Sequence, residues 1–279
     1  MKKNGSKKVR VIPNLEAEVI GLSNIELHRE EALVLKDIDL SILRGQHWVM
    51  LGPNGSGKSS LLSVLQGILW PIEGHVRVLG RNFGESDLSE LRRLIGFVGN
   101  EIEPEFPGWQ TVEQIAASGG VGTIGIKFDQ PPIEDQKRAR ELLKQAGILH
   151  LAKRPLAFLS QGQRRLATIV RALMVKPGLL ILDEPTSGLD PVAREEFLQR
   201  LSSLMKPSKN SNPTPVILYV THHIEEIIPE FTHILLLKKG RILAQGGIAE
   251  CLTAENLNKV FGKKVSITKS EGRYALRLK

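Results

Sequence analysis

The chain has a single cysteine, Cys251, among its 279 residues. One thiol excludes an intrachain disulfide and a cysteine zinc cluster, and it fits a reducing compartment. No apolar run approaches the roughly 20 residues that a membrane span needs. The basic N-terminal residues Lys2, Lys3, Lys7, Lys8 and Arg10 lead into no apolar segment that would serve as a signal peptide. The expectation is a soluble, cytoplasmic protein whose membrane role, where it has one, runs through a partner. No heptad pattern is present, which excludes a long coiled coil. No internal repeat and no RNA- or DNA-binding module signature is found. Acidic residues are outnumbered, 30 against 38 basic, for a formal net charge of +8. That balance favours anionic partners in general: nucleotide, lipid surface or nucleic acid. With 41% hydrophobic and 24% charged residues, the chain suits one large globular domain, alone or with a small appendage.

What is present centres on Gly52-Pro53-Asn54-Gly55-Ser56-Gly57-Lys58-Ser59. Two glycines separated by four residues and followed by Lys and Ser match the phosphate-binding loop. By average composition the pattern arises by chance in about 1% of chains this long. A short apolar run, Gln46 to Leu51, precedes it as a buried strand, and Leu61 to Leu69 reads as the helix after it. Glycines let the backbone turn tightly and aim successive N–H groups inward as an anion nest. The helix start adds unpaired donors and a positive dipole end. Lys58 is placed to reach terminal phosphates, and the Ser59 hydroxyl to hold Mg²⁺.

Read in order, residues 1–18 form a tail. Short, partly alternating apolar runs from Val19 to Ile42 predict several short antiparallel strands. Gly74 to Leu79 and Leu94 to Val98 are further strands. Residues 101–175 change character, with helical patterns at Thr111 to Ser118, Glu134 to His150 and Gln161 to Val175, and read as an inserted helical subdomain. Leu179 to Leu182 is a wholly apolar strand ending in Asp183-Glu184, and Ala193 to Met205 is a helix. Lys206 to Pro215 is a polar, Pro-containing surface loop. Val216 to Val220 is a strand leading into Thr221-His222. A hairpin turns at Lys239-Gly240, a helix covers Thr253 to Phe261, and Val265 to Lys279 is strand-forming. The domain expectation is a main unit over 19–250 and a small extension over 251–279.

An acid at the carboxyl end of a buried strand stands where ligands sit in an open α/β sheet. Asp183 is placed to serve the Mg²⁺ shell and Glu184 to accept a proton from an attacking water. Further motifs follow in order: Leu159-Ser160-Gln161-Gly162-Gln163, Leu182-Asp183-Glu184-Pro185, Ser187-Gly188-Leu189-Asp190, and Thr221-His222. Together they resemble the ATP-binding cassette (ABC) ATPases over about residues 19–250, and the LSQGQ run is the most diagnostic. The resemblance implies an α/β fold: a RecA-like, mostly parallel sheet with an N-terminal antiparallel β subdomain and an inserted α-helical subdomain. It implies ATP and Mg²⁺ as cofactors, with Gly52, Pro53, Asn54, Gly55, Ser56, Gly57, Lys58, Ser59 and Ser60 around the phosphates. It also implies a head-to-tail dimer, with itself or a related cassette, in which each ATP lies between one subunit's phosphate loop and the partner's Ser160 to Gln163. In those terms Asp190 lines the dimer interface, and His222 contacts the γ-phosphate and the attacking water.

Three positions depart from the family pattern. Where a Gln usually follows the strand ending at Val98, this chain has Gly99-Asn100-Glu101; either Asn100, one methylene shorter, reaches less far or Glu101 substitutes. Where an aromatic usually stacks on adenine, His28-Arg29 stand, and Arg29 can stack through a cation–π contact. Gln161 replaces the more usual Gly. Finer features resemble the molybdate- or iron-complex-type single cassettes: His47-Trp48, the run from Thr221 to Glu226, Phe231-Thr232-His233, and Leu252-Thr253 with Asn256-Leu257. The function this implies is the ATP-hydrolysing subunit of a transporter, working with integral membrane permease subunits at the inner face of the membrane. The alternative is a soluble ABC ATPase acting on nucleic acid, the ribosome or a repair complex. Translation-type members usually carry two cassettes and repair types long coiled-coil or zinc insertions, and this chain has neither.

Overall fold

A computed structural model describes residues 17–99, 106–126, 130–206 and 214–279. Asn100, Glu101, the tail as far as residue 16 and most of the loop at 206–215 lie outside the described residues. Strands β1 (Glu18–Arg29) and β2 (Ala32–Leu43) form a hairpin, and β3 (Trp48–Leu51) leads through the phosphate loop into α1 (Lys58–Leu65). Then come β4 (Glu73–Val78), β5 (Arg81–Asn82), α2 (Leu88–Arg93) and β6 (Ile95–Val98). Helices α3 (Val112–Ser118), α4 (Ile133–Gln145) and α5 (Gln161–Met174) pack on one another. They are followed by β7 (Leu179–Asp183), α6 (Pro191–Met205) and β8 (Val216–Thr221). The chain closes with the hairpin β9 (His233–Lys238) and β10 (Arg241–Gly247), helices α7 (Ile248–Cys251) and α8 (Ala254–Phe261), and the hairpin β11 (Val265–Ser270) and β12 (Arg273–Leu278).

The strands form a six-stranded sheet of order β10-β9-β3-β8-β7-β6 and a four-stranded sheet of order β2-β1-β4-β5. In the larger sheet all neighbours run parallel except β10 against β9. Parallel strands are covered on both faces, which is why they read as nearly continuous apolar runs, with polar residues only at their ends. Val49, Leu51, Leu180, Leu182 and Tyr219 face the core shared with α3, α5 and α6. Their neighbours Trp48, Met50, Leu179, Ile181 and Leu218 face the core shared with α1 and the antiparallel sheet. This alternation locks α1 and the phosphate loop between the two sheets.

The β1–β2 region holds two strands of 12 residues each, not the several short ones expected from the sequence. The breaks in apolar alternation coincide with register shifts between the strands, as at Leu22/Ile25, so each interruption is a local irregularity rather than a strand end. The first helix also starts earlier and stops earlier than 61–69. Leu61 N–H donates to the Gly57 carbonyl, so the loop itself supplies the first turn, and Gly67 at φ +67° ends the helix. Gly147 at φ +70° likewise ends α4 near Gln145, short of His150. Helix α2, capped by Asp87, is too short to leave a periodic signal.

Residues 251–279 join the main core. Leu257, Val260 and Val265 are buried with the α6 and β8 side chains. Arg273 forms a double hydrogen-bonded ion pair with Glu195 at 2.8 and 3.0 Å, and also donates to the Glu225 carbonyl. Leu257→Ala is therefore expected to cost about 2–5 kcal/mol, as for other fully buried leucines, read as a shift in the urea midpoint. An unchanged midpoint would mean that the C-terminal segment folds independently of the core.

Candidate active site

The carboxyl ends of β3, β8 and β7 lie side by side, because these strands are neighbours in the sheet. Each delivers part of one site: the phosphate loop from β3, His222 from β8, and Asp183-Glu184 from β7. At Gly52 a Cβ would stand 2.4 Å from the Leu237 carbonyl oxygen, so no other residue fits. Gly57 caps α1 at φ +104° with no side-chain cap bond, which leaves the first N–H groups of the helix available to an anion. Lys58 is buried, and its Nζ donates to the carbonyls of Gly52 at 2.9 Å and Pro53 at 3.2 Å. The same Nζ lies 3.6 Å from Glu184 Oε1. The loop's own bonds thus hold the ammonium over the nest and against the acid.

A cavity of about 530 Å³ joins Asn54, Gly55, Gly57, Lys58, Ser59 and Ser60 to Asp183 and Glu184. A larger cavity of about 780 Å³ lies on the antiparallel sheet around Trp70 and His75. It contains none of the phosphate-loop residues, so the smaller cavity is the candidate site. Pro53 is half-buried at the loop's edge. Ser56 Oγ is buried and has no hydrogen-bond partner, a group a bound anion can satisfy.

Glu184 has φ +46°, a left-handed conformation that a Glu rarely adopts and that the surroundings must enforce. Its N–H donates to the Val220 carbonyl at 3.0 Å, which ties it to β8. His222 Nδ1 stands 3.2 Å from Glu184 Oε1. A carboxylate only accepts, so Nδ1 is the donor in this contact.

Ser160, Gln161, Gly162 and Gln163 lie elsewhere: none lines the 530 Å³ cavity. Ser160 Oγ accepts from Gln163 N–H, and the Gln163 side chain accepts from Ser160 N–H, a reciprocal cap at the start of α5. Gln161 Nε2 donates to the Ser187 carbonyl at 3.1 Å, and Gly162 packs beside Leu189. Asp190 caps α6, accepting from the N–H groups of Val192 and Ala193 at 2.9 Å each. Arg29 is exposed at the end of β1 and outside the cavity lining. Asn100 and Glu101 fall outside the described residues, while Gly99 before them lines the cavity.

The sequence reading assigned no role to Glu226. It is 2% exposed and accepts hydrogen bonds from Thr186, Thr221 and Tyr219. In the sequence it is only the second of two adjacent acids, Glu225-Glu226, before Ile227-Ile228.

A family model described as ABC transporter matches residues 35–187, more than half of the chain. The chain belongs to the ABC transporter family. It is 39% identical over 256 residues to the uncharacterized ABC transporter ATP-binding protein YlmA of Bacillus subtilis (strain 168), covering 91% of this chain and 95% of that protein. Among solved structures it resembles cbiO1 from Clostridium perfringens, part of the ABC transporter complex cbiONQ. There the TM-score is 0.74 at 29% identity, over 88% of this chain and 94% of the other. A bacterial ABC transporter cassette solved as a dimer matches with TM-score 0.65 at 28% identity, over 82% and 98%. This ABC ATPase therefore binds and hydrolyses ATP as the nucleotide-binding subunit of a transporter, and the nucleic-acid, ribosome or repair reading is not favoured. Among the described residues no helix is long and apolar enough to cross a membrane.

Proposed function

We propose that two copies pair head to tail, so that each ATP lies between one subunit's phosphate loop and the other's α5 start, and that closing and reopening this pair moves separate membrane subunits. The observation that carries the reading is the separation within one chain of Ser160–Gln163 from the cavity that holds Lys58 and Glu184. The N-terminus of α5 is a positive helix end with no acidic residue in its first turn. Around it the surface is apolar and exposed: Phe158 is 68% and Val192 70% accessible, beside Ser160 and Asp190. Large exposed apolar side chains in such a setting favour a protein–protein contact.

Mg²⁺ fits the donors present. Among the described residues no three His, Cys, Asp or Glu side chains cluster as a metal site. Ser59 and Asp183 border the cavity together, and a hard cation that keeps phosphate and water oxygens needs few protein ligands. When bound, the ion screens the phosphate charge. The rest falls to the chain. Lys58 and the N–H groups of the loop hold the phosphates, Glu184 takes the proton of the attacking water, and His222 orients that carboxylate through Nδ1. The subunit works at the inner face of the membrane, attached through its permease partners.

Affinity capture of the tagged chain from detergent-solubilised membranes is expected to recover multi-span membrane proteins. Recovery of ribosomes or nucleic acid with no membrane protein would overturn the assignment of partner.

A further inference from the structure

Glu226 is a carboxylate placed inside the protein with every oxygen engaged. Thr186 Oγ1 donates to its Oε1 at 2.6 Å. Thr221 Oγ1 and Tyr219 OH donate to its Oε2 at 2.6 and 3.0 Å. All four residues are at most 5% exposed. A carboxylate is an acceptor only, so three hydroxyl donors converge on it without conflict. Burial first, and then the charge of Glu226, push the Tyr219 phenol well up, which keeps it a donor.

The three donors come from segments that carry the chemistry. Thr186 follows Glu184 by two residues and stands on the loop running to Asp190. Thr221 directly precedes His222, and its Oγ1 also accepts from the His223 N–H at 3.0 Å, which fixes the turn that presents the imidazole. Tyr219 is in β8 itself. Glu184, Thr186, Thr221, His222 and Glu226 all border one small cavity of about 140 Å³. A buried charge would be costly unless fully hydrogen-bonded, and an apolar side chain would fill the same space at lower cost. Simple packing therefore does not account for a carboxylate here.

We propose that Glu226 is a positioning residue for ATP hydrolysis: it clamps the loop after Glu184 to the strand end bearing His222, and so holds the 3.2 Å contact between the two. The inference rests on the reading that Glu184 and His222 serve the chemistry.

The test is steady-state ATPase kinetics on the full chain, with ATP binding measured separately. Displacing a catalytic group by about 1 Å costs on the order of 10²-fold in rate. Glu226→Ala is expected to lower kcat by about that factor, and Glu226→Gln by roughly 10-fold, with KM and ATP affinity within about 3-fold, because the phosphate loop is untouched. Thr186→Val should lower kcat in the same way, while Thr186→Ser, which keeps the hydroxyl, should stay within about 3-fold of the parent. Combining Thr186→Val with Glu226→Ala should be no worse than the weaker single variant, as for two groups in one network. Normal kcat in Glu226→Gln and Thr186→Val overturns the proposal. So does an equal loss in Thr186→Ser and Thr186→Val, or loss of ATP binding in step with kcat. Should Glu226→Ala not fold, the Thr186 pair decides, since it leaves the buried carboxylate in place. Glu184→Gln measured alongside separates the two readings. Normal turnover in that variant refutes the role of Glu184 itself, whereas slow turnover there with normal Glu226→Gln and Thr186→Val refutes only the clamp.

Discussion

Glu184→Gln is expected to lower kcat by about 10²–10⁴-fold, the range contributed by a positioned general base, while ATP binding persists. Gln has the shape of Glu, so it can occupy the same left-handed position at φ +46° and keep the main-chain bond to Val220. It cannot take a proton. Nothing that holds phosphate is altered: Lys58 remains anchored on the carbonyls of Gly52 and Pro53, and it loses only an anionic neighbour at 3.6 Å. Removing that competitor leaves the ammonium freer to meet phosphate, so affinity should hold or rise. The variant should therefore collect in the ATP-bound state. With the paired arrangement proposed above, it should also elute as a dimer with ATP and as a monomer without it. Light scattering on a sizing column reads the mass, and a coupled assay reads the rate. A parental rate in Glu184→Gln would show that another group accepts the proton.

The candidate site was legible as a place because each part is a short, contiguous motif at a strand end. The phosphate loop needs glycine where a Cβ would strike Leu237 and where φ is +104°, so its pattern is written in local residues. Asp183 follows four buried apolar residues, a pattern that suits a doubly covered parallel strand. Glu226 was invisible for the opposite reason. Two of its partners, Tyr219 and Thr221, share strand β8 and the third, Thr186, lies 40 residues before it, and nothing about the second of two adjacent acids announces that it is buried. The length of β1 and β2 was hidden in the same way. Register shifts break the alternation along each strand, and only the pairing between strands reveals that they continue. The expected stacking of Arg29 on adenine came from its position alone; the side chain is exposed at the end of β1.

Two inactive variants should restore activity when mixed, provided the site is shared between copies. Lys58→Ala removes the ammonium that bridges the loop and the acid, and should abolish productive ATP binding. Ser160→Arg places a long cation at the start of α5. It removes the hydroxyl that caps Gln163 N–H and adds bulk next to the exposed Phe158. ATP should still bind to the isolated subunit, since no residue from 160 to 163 lines its cavity, but the pair should not close. Each variant alone has two defective sites per dimer. In a mixed dimer, the Ser160→Arg subunit contributes an intact phosphate loop and the Lys58→Ala subunit an intact Ser160, which together make one complete site. The other site carries both defects. Equal mixing gives mixed dimers in about half of all pairs, each with one working site of two, so about a quarter of parental activity is expected if sites act independently and the interface has two-fold symmetry. Recovery should rise with total protein concentration, as association requires. A mixture no more active than its components, with both chains folded and Ser160→Arg still binding ATP, would mean that the phosphate loop and Ser160–Gln163 do not meet across a pair of this chain.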